Sequence, residues 1–132
     1  MAEFHFDLVS PERLVFSGEV EQVDVPGSEG DFGVLAHHAP LIAMLKPGIL
    51  TVRSPGEAKR IVVVGGFAEV NEAGLTVLAD MAVPFEEFDR ASLAGEIKDT
   101  EEDLADAADD AARDKAREKL DQLKALDAAL VS

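Results

Sequence analysis

Ile61-Val62-Val63-Val64-Gly65-Gly66-Phe67-Ala68-Glu69-Val70-Asn71-Glu72-Ala73-Gly74-Leu75-Thr76-Val77-Leu78 decides the fold of the first part of this chain. The run Ile61–Val64 is β-branched throughout, which suits a strand buried on both faces. Gly65-Gly66 stops it. Ala68-Glu69-Val70 then alternates, Asn71-Glu72-Ala73-Gly74 turns the chain, and Leu75-Thr76-Val77-Leu78 returns as another strand.

The same rhythm extends towards the N-terminus. Phe4, Phe6 and Leu8 alternate with His5 and Asp7 until Ser10-Pro11 closes the run. Val20, Val23 and Val25 belong to a second extended run that ends at Pro26-Gly27. Ile49-Leu50-Thr51-Val52 is stopped by Ser54-Pro55-Gly56. Short strands with turns at such spacing predict an antiparallel sandwich or barrel.

The composition changes near Pro84. All ten Gly and all six Pro precede Glu96, and only Gly95 among them follows Phe85. Leu93, Ile97, Thr100 and Leu104 fall at helical spacing, and Ala112, Ala116, Leu120, Leu123 and Leu130 form a second stripe. Strong helix formers fill the gaps. The span is too long for one globular helix, so the pattern predicts a hairpin turning near Asp106–Asp109, with Asp109 or Asp110 capping the second helix. The expected organisation is a β domain over residues 1–84 and a helical hairpin over 85–132. From Glu86 to Asp110 there are eleven acids against Arg90 and Lys98, whereas four acids and five bases follow from Ala111. Opposite biases favour antiparallel pairing of the two helices, and the alanine-heavy stripes predict a hairpin held loosely.

With 47% hydrophobic residues in 132, the chain can bury one modest core, built from Val, Leu, Ile and Ala because Trp and Tyr are absent. There is no cysteine, hence no disulfide, thiolate nucleophile or cysteine-bound metal. A formal charge of −15 opposes binding to nucleic acid and direct insertion into anionic lipid. It suits a partner with basic or polar patches, or serves solubility alone. The N-terminus lacks the basic and apolar regions of a signal peptide, and no apolar run approaches a membrane span. The expectation is a soluble protein that stays where it is made.

Val25-Pro26-Gly27-Ser28-Glu29-Gly30-Asp31-Phe32-Gly33-Val34-Leu35-Ala36-His37-His38-Ala39-Pro40-Leu41 is the most informative loop. Its glycines recur every three residues between two prolines, which predicts a run of tight turns, anchored inward by Phe32, Val34 and Leu35. An ordered loop that displays two acids and two histidines is built to touch something.

Sites for chemistry are scarce. No glycine-rich loop ends in Lys-Ser or Lys-Thr, and Gly65-Gly66 leads into a strand, so neither nucleotide-binding fingerprint is present. His37 and His38, read as neighbours in an extended segment, point oppositely and share a metal poorly. Ser28 sits in no nucleophile elbow. Catalytic residues, cofactors and metals are therefore assigned to none of these positions.

The ordered motifs Pro26–Leu41, Lys46-Pro47-Gly48, Gly65–Val70 and Val77-Leu78-Ala79-Asp80, after Phe6-Asp7-Leu8-Val9-Ser10-Pro11-Glu12 and Phe16-Ser17-Gly18, closely resemble the ε subunits of bacterial F-type ATP synthases. The resemblance spans essentially the whole chain. It implies an α+β fold: an N-terminal antiparallel β-sandwich followed by a C-terminal two-helix antiparallel hairpin. It implies a non-catalytic rotor subunit at the foot of the central stalk, clamping the γ subunit and resting on the c-ring during proton-driven ATP synthesis. Its expected location is peripheral, on the cytoplasmic face of the bacterial inner membrane. Carried over, Glu29, Asp31 and His38 are the c-ring contact candidates, with a turn-capping role as the alternative for Asp31.

In the family the hairpin can extend along γ and block hydrolysis by inserting its second helix among the α and β subunits. Arg113, Lys115, Arg117 and Lys119 lie where such contacts would fall. Some members bind ATP through Ile/Leu-Asp-x-x-Arg-Ala at the start of the first helix. Here the run is Phe88-Asp89-Arg90-Ala91-Ser92-Leu93: Asp89 is kept, but Ser92 stands where the arginine would be. Losing that partner for phosphate oxygens predicts weak or no ATP binding. Two alternative functions stay open on the sequence: a small hydrolase using His38, and a free-standing adaptor whose hairpin docks an unrelated partner.

Overall fold

The computed structural model describes residues 2–131. Ten strands come first: β1 (Phe4–Val9), β2 (Leu14–Val20), β3 (Gln22–Val25), β4 (Phe32–Leu35), β5 (Leu41–Met44), β6 (Gly48–Ser54), β7 (Glu57–Val64), β8 (Phe67–Asn71), β9 (Gly74–Leu78) and β10 (Met81–Pro84). A single 3-10 turn (Phe85–Glu87) leads into helices α1 (Arg90–Ala105) and α2 (Asp110–Val131). The strands form two five-stranded sheets, ordered β2-β1-β9-β8-β5 and β10-β7-β6-β3-β4. This is the β-sandwich followed by two helices that the sequence predicts.

Alternation decides what faces the space between the sheets. Phe6, Leu8, Ala68, Val70, Leu75 and Val77 point inward from the first sheet. Val23, Val25, Val34, Leu50, Val52, Ile61 and Val63 meet them from the second. The Ile61–Val63 half of strand β7 is buried on both sides, as its β-branched run predicts, while Glu57–Arg60 are exposed. Ile61 and Val63 enter the sandwich core, whereas Val62, fully buried, lies under the helices with Leu93, Leu126 and Leu130. Ile49, Val64, Met81, Phe85 and Phe88 pack around that second cluster. Burying a side chain such as Val62 is worth about 1.5–3 kcal/mol, so this small cluster sets how firmly the hairpin sits.

Several details differ from the sequence reading. The pair β1–β9 is parallel, while every other strand pair is antiparallel. It closes the first sheet between two hairpins distant in sequence. The extended run Val20–Val25 breaks at Glu21, where the chain passes from the first sheet (β2) to the second (β3). The glycine-rich stretch is not turns throughout, because Phe32–Leu35 is strand β4, paired with β3. Leu35 points to solvent rather than anchoring the loop inward, since alternation along β4 sends Val34 to the core.

In the second helix the buried stripe is Leu120, Leu126 and Leu130, with Ala116 and Leu123 partly covered. Ala112 is exposed, and Leu126, left out of the sequence stripe, is the most deeply buried side chain of α2. The turn falls where predicted. Helix α1 ends at Ala105, and Asp109 Oδ1 accepts a hydrogen bond from the amide of Ala112 at 2.7 Å, which caps α2. Among the described residues the hairpin's close ion pair is Arg113–Asp110, three residues apart on one helix. Among the described residues no helix is long and apolar enough to cross a membrane.

Candidate functional site

The loop between β3 and β4 is pinned by its backbone. The amide of Lys46 donates to Pro26 O at 3.0 Å, and the amide of Ser28 donates to Met44 O at 2.8 Å. The amide of Gly30 closes a turn on Gly27 O at 3.1 Å. Gly27 is buried, and a Cβ there would stand 2.6 Å from Gly30 O, so only glycine fits. Gly30 takes φ +137, a conformation that side chains resist. The pinned backbone presents Ser28, Glu29 and Asp31 to solvent. Asp31 Oδ1 lies 3.0 Å from Lys46 Nζ, both well exposed. The pair therefore orients the two side chains more than it stabilises the fold.

His38 is not part of this end. Strand β4 separates it from Asp31: Phe32 pairs with Val25 beside the loop, and Leu35 pairs with Gln22 at the far end, where the turn to His38 begins. His37 takes φ +66, so the two histidines occupy a turn rather than an extended segment. The Nδ1–H of His38 donates to Ala39 O at 2.7 Å. Of the three candidate ring contacts, Glu29 and Asp31 share a surface and His38 stands at the opposite end of the sandwich.

The basic residues of α2 are all exposed. Their spacing of two residues divides them between two helix faces, Arg113 with Arg117 and Lys115 with Lys119. No single face presents all four. Asp89 is the N-cap of α1: Oδ1 accepts from the amides of Ala91 (2.9 Å) and Ser92 (3.2 Å), and Oδ2 accepts from Ser92 Oγ at 2.8 Å. The Ser92 hydroxyl, then the backbone amides, hold this carboxyl below its usual range. Asp89 and Ser92 thus satisfy each other in the wall of a cavity of about 360 Å³ that Val64, Met81, Phe88, Leu93 and Leu126 also line.

Two surface features had no signal within any short segment of sequence. On the outer face of the first sheet, His5 Nδ1 meets Glu19 Oε2 at 2.9 Å and His5 Nε2 meets Asp7 Oδ1 at 3.0 Å. The Ser17 hydroxyl donates to the same Asp7 oxygen at 2.6 Å. The hydrogen bond to Glu19, followed by Asp7, raises the His5 pKa, and Ser17 followed by His5 lowers that of Asp7. Beside this polar patch runs an apolar row. Met44 pairs with Phe67, Phe67 with Leu78, Leu78 with Val9 and Val9 with Leu14, one residue from each of the five strands. Met44 is 60% exposed and Leu14 59%. A contiguous apolar row of this kind on an uncovered sheet marks an interaction surface.

Residues 3–85 match the family model described as ATP synthase, Delta/Epsilon chain, beta-sandwich domain. The ATP synthase epsilon chain of Nitrobacter winogradskyi is 57% identical over 130 residues, covering 98% of this chain and 96% of its own. This chain belongs to the ATP synthase epsilon chain family. The epsilon chain of Afipia carboxidovorans is 54% identical over 132 residues, covering 100% and 97%. Among solved structures, a chain of the Euglena gracilis mitochondrial ATP synthase (OSCP/F1/c-ring) superposes with a TM-score of 0.81 at 31% identity, covering 98% of this chain and 82% of that one. A chain of the Tetrahymena thermophila mitochondrial ATP synthase central stalk/c-ring matches at TM-score 0.59 and 16% identity, a likeness of fold.

Proposed function

We propose that this epsilon-family chain is a non-catalytic rotor subunit of an F-type ATP synthase, joining the γ subunit to the c-ring at the membrane surface. The observation that carries the reading is the meeting of two unlike surfaces at one end of the sandwich. The apolar row Met44–Phe67–Leu78–Val9–Leu14 suits a permanent partner, because burying it stabilises without requiring matched charges. That partner is γ. The pinned loop bearing Glu29 and Asp31 suits polar and basic loops, the chemistry of a ring surface. The Ser28–Met44 hydrogen bond joins the two, so torque passes through backbone rather than through a flexible side chain. His38, at the opposite end, does not belong to the ring contact.

The hairpin is the regulatory element in this reading. Released from Val62, its second helix would offer Arg113, Lys115, Arg117 and Lys119 to acidic segments of the catalytic subunits. The closed Asp89–Ser92 cap leaves that release insensitive to ATP. The testing experiment is co-elution of the chain with the γ-containing catalytic complex, with the ATPase rate followed. Tight one-to-one binding that Leu78→Asp weakens at least tenfold supports the reading. Failure to bind at micromolar concentration contradicts it.

A further inference from the structure

We propose that the C-terminal end of α2 forms part of the ring-facing surface, so that engaging the ring holds the hairpin docked. The inference rests on the assignment of Glu29 and Asp31 to ring contact. A groove of about 650 Å³ runs between the last turns of α2 and the loop end of the sandwich. Asp31, Lys46 and Pro47 form one wall, and Ala125, Ala128 and Ala129 form the other. The same acid that faces the ring therefore also lines the seat of the helix. A loop reaching Asp31 from below meets α2 in the same contact.

The groove offers both hydrogen-bond acceptors and donors, through Asp31, Lys46 and Arg60. The last turn of α2 carries no basic residue, so its terminal carbonyls lend partial negative charge to this end of the molecule. Asp31 is the carboxylate of the groove and is paired with Lys46, whereas Glu29 lies on the neighbouring surface of the loop. The fitting occupant is a polar loop of the ring bearing side-chain amides, which can donate to Asp31 and the helix carbonyls and accept from Lys46. Small alanine side chains on the helix wall allow such a loop to approach closely.

Arg60 extends the coupling to the hinge. It lines the groove, and its guanidinium stacks over the Phe85 ring at 3.9 Å, in the 3-10 turn from which the hairpin swings. Filling the groove thus braces both the far end and the root of the hairpin. By linkage, a ring that prefers the docked form by about tenfold in affinity shifts the docked-to-released ratio by the same factor.

The test is hydrogen exchange by mass spectrometry on the full chain, alone and with purified c-ring. The expected result is slowed exchange in residues 26–33 and 120–130 together, by about fivefold or more in α2. Slowing at 26–33 with α2 unchanged or faster would overturn the inference and leave the ring contact standing. No slowing at either segment would remove the ring contact itself. A second variant, Ala128→Glu on the exposed helix wall, is expected to weaken ring binding by about three- to tenfold at unchanged Tm. Unchanged affinity would contradict the composite surface.

Discussion

The amide of Ser28 donates to the carbonyl of Met44 at 2.8 Å, tying the glycine loop that hangs from one sheet to the edge strand of the other. Together with the Lys46 amide's bond to Pro26 O at 3.0 Å it makes the isolated bridge between Gly27 and Leu45, and Lys46 also pairs with Asp31. Two backbone hydrogen bonds and one surface ion pair in so short a segment make an exposed loop rigid. The amides of Ser28 and Lys46 should therefore exchange slowly, while that of exposed Glu29 exchanges fast. NMR-detected exchange on the isolated chain checks this; uniformly fast exchange across 26–31 would show the loop to be mobile.

The two apolar clusters should respond differently to truncation. Leu50→Ala opens a cavity in the sandwich and should cost about 2–4 kcal/mol of global stability. Leu126→Ala empties the seat of the hairpin instead. Its expected effect is faster exchange throughout α1 and α2 while Leu50, Val63 and Val77 keep wild-type protection. Equal loss of protection in both regions would mean that the helices and sandwich unfold as one unit.

Gly66 adopts φ +95, and a side chain there would run into the Leu78 carbonyl and stand 2.8 Å from the Ala79 Cα. Backbone on both counts cannot yield cheaply. Gly66→Ala is expected to cost roughly 3 kcal/mol or more, read as a large drop in Tm. Gly95→Ala, in open space on α1, should raise stability by a few tenths to about 1 kcal/mol.

Much of this architecture was legible in local pattern. The β-branched run Ile61–Val64 announces a strand covered on both sides, and the loss of Gly and Pro after Pro84 announces the helices. What escaped is what depends on distant pairing. Strand β4 hides among turn residues and exists because β3 offers it a partner. By interposing itself, it carries His38 away from Glu29 and Asp31, which sit close to it in sequence. The apolar row draws one residue from each of five strands, so no window of sequence contains it. Leu126 escaped because the stripe was drawn through Leu123, whereas the sheet meets the helix on the side Leu126 and Leu130 share. The ATP-like motif was legible as degenerate, but only the structure shows Asp89 and Ser92 satisfying one another.

The His5 network gives stability a pH dependence of known sign. His5 has a raised pKa in the folded state, first through Glu19 and then through Asp7. Its contribution is complete below the unfolded value of 6.5 and fades as pH rises through the higher folded value. Asp7 has a lowered pKa, through Ser17 and then His5, so its contribution is present above 3.8 and is lost as pH falls through the lower folded value. Both groups are exposed, which keeps the effect small. His5→Gln should flatten the thermal-stability profile just above pH 6.5, and an NMR titration should place the His5 midpoint above the ordinary imidazole value of 6.5. A His5 midpoint at or below 6.5 would contradict the network.

The central claim, that the apolar row seats γ, is tested most directly by the affinity of the full chain for the γ-containing catalytic complex. Wild type should be compared with Leu78→Asp and Met44→Asp. The account predicts tight one-to-one binding by the wild type and at least a tenfold loss for each variant, with Tm nearly unchanged because both side chains are exposed. Wild-type affinity in both folded variants would contradict it.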